Sequence, residues 1–319
     1  MSSKLTRVVT TRIPAEKAGL TLIDFLSERY TYNDRDSWLR IIAKGSMTLN
    51  KAPLSATYIL QKNEQIAFEF EAPEEPKVDL SYEIIYQDEF LLLVNKPGNL
   101  PMHPAGKFFN HTLWALLKKK YESIHFINRI DRETSGLVLV ALDPKTAAKL
   151  AKQFEKRSVT KTYSVLVEGN FPDEKIVARG YLSKDEDSLI NKKVRYTAAD
   201  NYSDYGKDGV FSTFEKVSHC TENNISLLKA HIHTGKTHQI RASLSALGFP
   251  LVGDKLYGLD ENVFLNFRKH QLSDADKKLM RIPRQALHAA ELTFTHPQRN
   301  EDVSFAAPLP NDMSGLTGN

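Results

Sequence analysis

The chain has 319 residues, 41% of them hydrophobic and 26% charged, an ordinary globular composition able to bury a sizeable core in one large domain plus a small one. Its net charge of +4 is too small to select a nucleic-acid binder from composition alone, so any RNA affinity has to come from local patches. A single cysteine, Cys220, excludes an internal disulfide and a cysteine-built zinc cluster and reads as a half-buried strand residue. With no apolar signal core near the start and no stretch able to span a bilayer, a cytoplasmic protein is expected.

Residues 1–18 read as an N-terminal extension. Residues 19–70 pattern as a compact module. LTLIDFLSERY places Leu22, Phe25 and Leu26 on one helical face, and SWLRIIAKG places Leu39, Ile42 and Ala43 on another before Gly45 stops the helix. MTLN and QIAFEF are short strands, and Arg35, Arg40 and Lys44 gather near the second helix. EAPEEPKVD, residues 71–79, carries two prolines and several acids with no apolar period and predicts a linker. A large domain is expected over 80–319. It opens with YEIIYQDEFLLLVNKP, two strands joined by a tight polar turn.

Further on, Leu137–Ala141 predicts a buried strand, and Asp143 with Pro144 predicts the start of a helix running to about Arg157, its inner face built from Ala147, Leu150, Ala151 and Phe154. Strand-like runs follow in TYSVLVEG, RGYLSK, VRYT, FSTFEKV and ISLLKAHIH, then a helix over roughly His238–Leu247 that Gly248 ends. Hairpin-like spacing favours an α+β fold with a mixed, largely antiparallel sheet over repeated βαβ units. Three basic clusters are candidate RNA patches or solvated faces: Lys118–Lys120; Lys192, Lys193 and Arg195 with Tyr196; and Lys277, Lys278, Arg281 and Arg284.

The run NRIDRETSGLVLVA sets one carboxylate, Asp131, between Arg129 and Arg132 just ahead of a strand. Nearby positive charge favours an ionised carboxylate, so Asp131 is a candidate nucleophile held on a rigid loop; for the triplet alone, a solvated surface aspartate with two ordinary arginines is the more ordinary reading. His231, His233 and His238 lie close together, but no His-Glu-x-x-His helix or cysteine pair completes a metal set, so no metal is expected.

Five ordered blocks resemble the RluA-type pseudouridine synthase family. These are VNKPGNLPMHPAG, NRIDRETSGLVLVA, KTYSVLVEG, HTGKTHQIRASLSALGFPLVGDKLYG and QALHAAELTFTHP. The resemblance places the family's catalytic aspartate at Asp131, its active-site tyrosine at Tyr163 and its active-site arginine at Arg241. Arg129, Asn128, Lys161, Lys236, Thr237 and His238 are the implied substrate contacts. Asn128 and Ser243 stand where histidine is usual, and Lys236 where arginine is common. The implied fold is a bent sheet with flanking helices and a central RNA-binding cleft.

The implied reaction is isomerisation of uridine in rRNA or tRNA to pseudouridine, without a cofactor. A non-catalytic RNA-binding protein of the same fold is the alternative. Arg241, four residues after Thr237, is expected to share a helix face with it and to pair with Asp131. Tyr163 is expected to stack on the target base. Residues 19–70 resemble the RNA-binding module of small-subunit ribosomal protein four, with Arg35, Arg40 and Lys44 as phosphate contacts. A monomer acting on RNA, with no membrane partner, is expected.

Overall fold

The computed structural model describes residues 6–30, 33–71 and 75–318. The chain divides between Glu75 and Pro76 into two compact units. The expected extension and linker each fall partly outside the described residues, at 1–5 and 72–74.

The smaller unit contains β1 (Thr6–Arg12), α1 (Leu22–Arg29), α2 (Arg35–Ala43), β2 (Met47–Leu49), β3 (Ala52–Pro53) and β4 (Gln65–Glu71), with sheet order β1-β4-β2-β3. Residues 6–12 are therefore a strand and not part of an extension; seven consecutive antiparallel pairings satisfy the otherwise open edge of β4. Thr21 caps α1 by accepting from the Asp24 amide at 3.2 Å, and Asp34 caps α2 by accepting from the Ser37 amide at 2.7 Å. Leu22, Phe25 and Leu26 are fully buried as their spacing predicts. On α2 the inner face is Trp38 and Ile42, whereas Leu39 is 40% exposed, because the packed stripe is centred one position earlier than the expected Leu39–Ala43 face.

The larger unit begins with the hairpin β5 (Glu83–Gln87) and β6 (Leu91–Lys96). Next come α3 (Leu113–Lys118), β7 (His125–Phe126), β8 (Ser135–Ala141), α4 (Pro144–Glu155) and β9 (Thr160–Glu168). Four antiparallel strands follow, β10 (Ile176–Lys184), β11 (Val194–Ala198), β12 (Gly209–Cys220) and β13 (Ile225–Ile232). After them stand α5 (Gln239–Ala246), α6 (Asn262–Arg268), α7 (Asp274–Met280), β14 (Leu287–Thr295), β15 (Asp302–Ala306) and α8 (Asn311–Ser314).

One sheet runs β11-β10-β12-β13-β9-β14-β8-β6-β5, with β15 on β14 and β7 on β8. Among the described strands only the β14–β8 pairing is parallel. This is the expected α+β class with a mixed, largely antiparallel sheet.

Two features of this sheet position the site. β14, late in the chain, inserts between β8 and β9, so the loops entering β8 and β14 lie together. The close approach depends on Gly136, whose φ is +108° and where a Cβ would lie 2.3 Å from the Ala289 carbonyl oxygen. α5 is sunk into the core through Ile240, Ala242 and Leu244, packed with Val165, Ala230 and Ile232. On α4 the buried residues are Thr146 and Leu150, with Ala147 and Phe154 packed alongside; Ala151, expected inside, is exposed.

Candidate active site

The segment 128–134 is anchored at several points, through its backbone and through its own side chains. Asn128 donates from Nδ2 to the Leu137 carbonyl at 3.2 Å and accepts from the Leu139 amide on Oδ1 at 2.7 Å. Thr134 N donates to the Asp131 carbonyl at 3.2 Å and closes the turn. Lys96, wholly buried, donates to the carbonyls of Pro97 at 2.8 Å, Leu100 at 2.9 Å and Arg132 at 3.0 Å. Burial and then Arg284 pull the Lys96 pKa down to about 7, while one carbonyl for each ammonium N–H favours the protonated form. Arg284, clamped on both oxygens of Asp312 at 2.6 and 2.7 Å, donates to the Glu133 carbonyl at 3.3 Å.

On this loop Asp131 borders a cavity of about 520 Å³, a volume typical of small-molecule sites and sufficient for one nucleotide. Arg241 reaches it from α5 and donates from Nη1 to Asp131 Oδ2 at 2.9 Å. The rest of that guanidinium grips Asp254, with Nε to Oδ2 at 2.6 Å and Nη2 to Oδ1 at 2.8 Å. Asp254 Oδ1 also accepts from the amides of Leu256 at 2.9 Å and Tyr257 at 3.0 Å. Burial opposes both charges, but their mutual attraction exceeds it. Arg241 is held above the ordinary arginine value and Asp254 below the ordinary carboxylate value.

The Tyr257 ring lies under the guanidinium at 5.0 Å, and its hydroxyl bonds His238 Nδ1 at 3.0 Å. Tyr163 lines the same cavity from β9. Burial first and the Asp131 charge second push its hydroxyl up to about 12, so at neutral pH it is a neutral ring with a protonated phenol.

The structure thus brings Asp131, Tyr163 and Arg241 to one cavity, together with the expected Arg129, Asn128, Lys161, Lys236, Thr237 and His238. Arg129, Lys236 and Thr237 are exposed at its margin. Lys161 is half-buried, its pKa lowered by burial and then by Arg157. Asn128 borders the cavity and bonds β8 through both polar atoms of its amide, which anchors the loop. Thr237 does not share a helix face with Arg241, because α5 starts only at Gln239 behind His238, whose left-handed φ of 62° breaks the helix there.

In the smaller unit Arg35, Arg40 and Lys44 are exposed; Arg35 pairs with Asp24 at 2.7 Å and Arg40 donates to Ser37 at 2.9 Å.

Most cations of two expected basic patches are already neutralised. Lys193 pairs with Glu261 at 2.6 Å, Arg195 with Asp185 and Asp187, Lys277 with Asp274, Arg281 with Glu168 and Arg284 with Asp312. Tyr196 is buried and donates to the Arg179 carbonyl, so it offers no stacking face. His231 meets Thr162 Oγ1 at 3.3 Å and His233 stacks on Phe211 at 4.0 Å; among the described residues no group of three or more His, Cys, Asp or Glu is arranged for a metal. No helix among the described residues is long and apolar enough to cross a membrane.

Three buried residues at this site, Lys96, Asp254 and Gln285, have no sequence expectation attached to them, and a fourth, Arg284, is expected only as part of a basic patch. Each is a polar residue inside or beside an apolar run (VNKP, PLVGDKLYG, IPRQALHA), and Lys96, Asp254 and Gln285 also fall within the blocks that carry the family resemblance, signals that could have marked them as buried polar partners.

The sequence pattern of the family described as RNA pseudouridylate synthase matches residues 90–246. The ribosomal large subunit pseudouridine synthase D of Zymomonas mobilis is 34% identical over 255 residues, 77% of this chain and 74% of that one. The mitochondrial tRNA pseudouridine(32) synthase of Saccharomyces cerevisiae is 29% identical over 92% of this chain and 65% of its own length. Among solved structures, human RNA pseudouridylate synthase domain containing 1 superposes with a TM-score of 0.55 at 22% identity, over 76% of this chain and 90% of that one.

Proposed function

The chain belongs to the RNA pseudouridylate synthase family, and from that premise we propose that its cavity isomerises uridine in rRNA or tRNA to pseudouridine with Asp131 as the reacting group. The observation that carries the assignment is one half-exposed carboxylate facing the cavity and paired with a buried arginine that a second acid holds in place.

Two routes use the carboxylate. It either forms a bond to ribose C1′ as the C1′–N1 pair departs onto uracil, or it removes the C2′ proton while the same bond breaks. The freed base turns and C5 bonds to C1′, as the Asp131–C1′ bond breaks back onto the carboxylate on the first route or as C2′ regains its proton from Asp131 on the second; the C5 proton then leaves and N1 gains one. No net oxidation or hydrolysis occurs. Tyr163 supplies a ring for the base and a neutral phenol for the later proton transfer. Arg129, Lys161 and Lys236 supply cations for phosphates at the rim.

The smaller unit serves on this reading as an RNA-binding module like that of ribosomal protein four, joined by the linker at 71–79, with Arg35, Arg40 and Lys44 facing phosphates. On the same reading the enzyme acts as a monomer and meets its RNA in the cytoplasm.

Asp131→Asn tests the assignment, because it removes charge at constant size. Pseudouridine is expected to vanish from a substrate RNA while melting temperature and RNA affinity stay near wild type. Turnover at the wild-type rate would refute Asp131 as the reacting group.

A further inference from the structure

The two oxygens of Asp131 are not equivalent. Oδ2 accepts from Arg241 Nη1 at 2.9 Å and from Gln285 Nε2 at 3.1 Å. Oδ1 accepts no hydrogen bond among the described residues, on a carboxylate that is 33% exposed at the cavity. We infer that Gln285 is a positioning residue that, with Arg241, fixes Oδ2 and so makes Oδ1 the oxygen that reacts. This rests on the assignment of Asp131 proposed above.

Gln285 is suited to that task by how it is itself held. Only 2% of it is exposed, and its Nε2 also donates to Thr134 Oγ1 at 2.7 Å, so one amide group spans the first and last residues of the turn 131–134. Its backbone carbonyl accepts from Arg284 Nη1 at 3.2 Å, and the same nitrogen donates to the Glu133 carbonyl. Gln285 therefore cannot shift without moving the turn. Arg241 alone leaves the carboxylate free to rotate about its Cβ–Cγ bond, exchanging the oxygen it presents. A second donor on Oδ2 from a different element removes that freedom. A neutral donor does so without adding a charge that would draw the carboxylate away from the substrate.

Gln285→Met keeps the length of the side chain and removes both donors. With a short RNA containing the target uridine as probe, kcat should fall about 10- to 100-fold, the loss expected for one hydrogen bond to a charged group, while KM stays within about twofold. Gln285→Glu places an acceptor against Oδ2 and should be slower still at neutral pH. Its rate relative to wild type should climb as pH falls, because the introduced carboxyl group, once protonated, can again donate; the ionisable groups coupled to the same Asp131 carboxylate are Lys96, Tyr163, His238, Arg241 and Tyr257. A merely structural role for Gln285 moves melting temperature but not that ratio.

Wild-type kcat in the Met variant, a rise in KM alone, or a pH-independent ratio for the Gln285→Glu variant would each overturn the inference. Should the Met variant fail to fold, the ratio for Gln285→Glu decides. The same assay separates this inference from its premise: an active wild type and a dead Asp131→Asn variant uphold the premise whatever Gln285 does.

Discussion

Replacing Asp254 by Asn should destabilise the larger unit severely, and the size of the loss follows from the geometry. The Asp254 side chain has no exposure and the Arg241 side chain 8%, and they share two bonds of 2.6 and 2.8 Å. Asn keeps an oxygen for the amides of Leu256 and Tyr257 but turns an N–H toward the guanidinium and leaves a buried cation with Asp131 as its remaining acidic partner. Breaking a buried pair in this way costs about 3–5 kcal/mol. In a domain of this size that lowers Tm by roughly 6–20 °C, read by calorimetry or circular dichroism.

The pH dependence has a definite sign. Because the folded-state pKa of Asp254 is depressed below its ordinary 3.8, its contribution is complete above that value and is lost only as pH falls through the depressed one. The gap between wild type and variant should therefore be constant from about pH 8 to about pH 5 and narrow only under strong acid. An Arg241→Met, Asp254→Asn double variant should be more stable than Asp254→Asn alone, since no uncompensated buried charge remains. A Tm within about 2 °C of wild type for the single variant, or a double variant less stable than the single one, would refute the argument.

Tyr163→Phe keeps the ring and removes the hydroxyl; RNA affinity should hold while product falls and cleaved-base intermediate accumulates, followed by rapid quench and nucleoside chromatography, and full activity would confine Tyr163 to packing. His288, 1% exposed, bonds Ser135 Oγ at 2.9 Å, and burial lowers its pKa from 6.5 to about 4. The unfolded chain alone takes up that proton between those values, so about 3 kcal/mol of stability should drain away as pH falls from 6.5 to about 4; denaturant melts of wild type and His288→Gln across that range should converge. Replacing Arg35, Arg40 and Lys44 together by Gln should weaken binding to structured RNA and reduce the slope of log K against log salt by about 2–3, with kcat on a short RNA unchanged; an unaltered slope would make the smaller unit a structural cap.

Much of the fold is local and legible in the sequence. The Leu22, Phe25 and Leu26 face of α1, the Asp143–Pro144 helix start, the buried run of β8 and the strand character of β9 to β13 follow from periodicity and capping chemistry, which depend on residues a few positions apart. The pairing of residues 6–12 with β4 is not legible there, because a short alternating segment does not announce which distant edge it will satisfy. Nor are the acid partners of the basic clusters, since a charge run carries no record of what folds against it.

The sequence by itself singled out Asp131 as the candidate reacting carboxylate and pointed to its chemistry, through the family resemblance of the blocks around Asp131, Tyr163 and Arg241. Only the tertiary structure decided how that carboxylate is held. Arg241 meets it across 110 residues of chain and Gln285 across 154, contacts created when β14 inserts between β8 and β9 and α5 sinks into the core. Local pattern reports the face a side chain takes on its own element. Which elements meet, and so which oxygen of Asp131 is left open to the cavity, depends on strand order and packing, quantities that exist only once the chain has closed on itself.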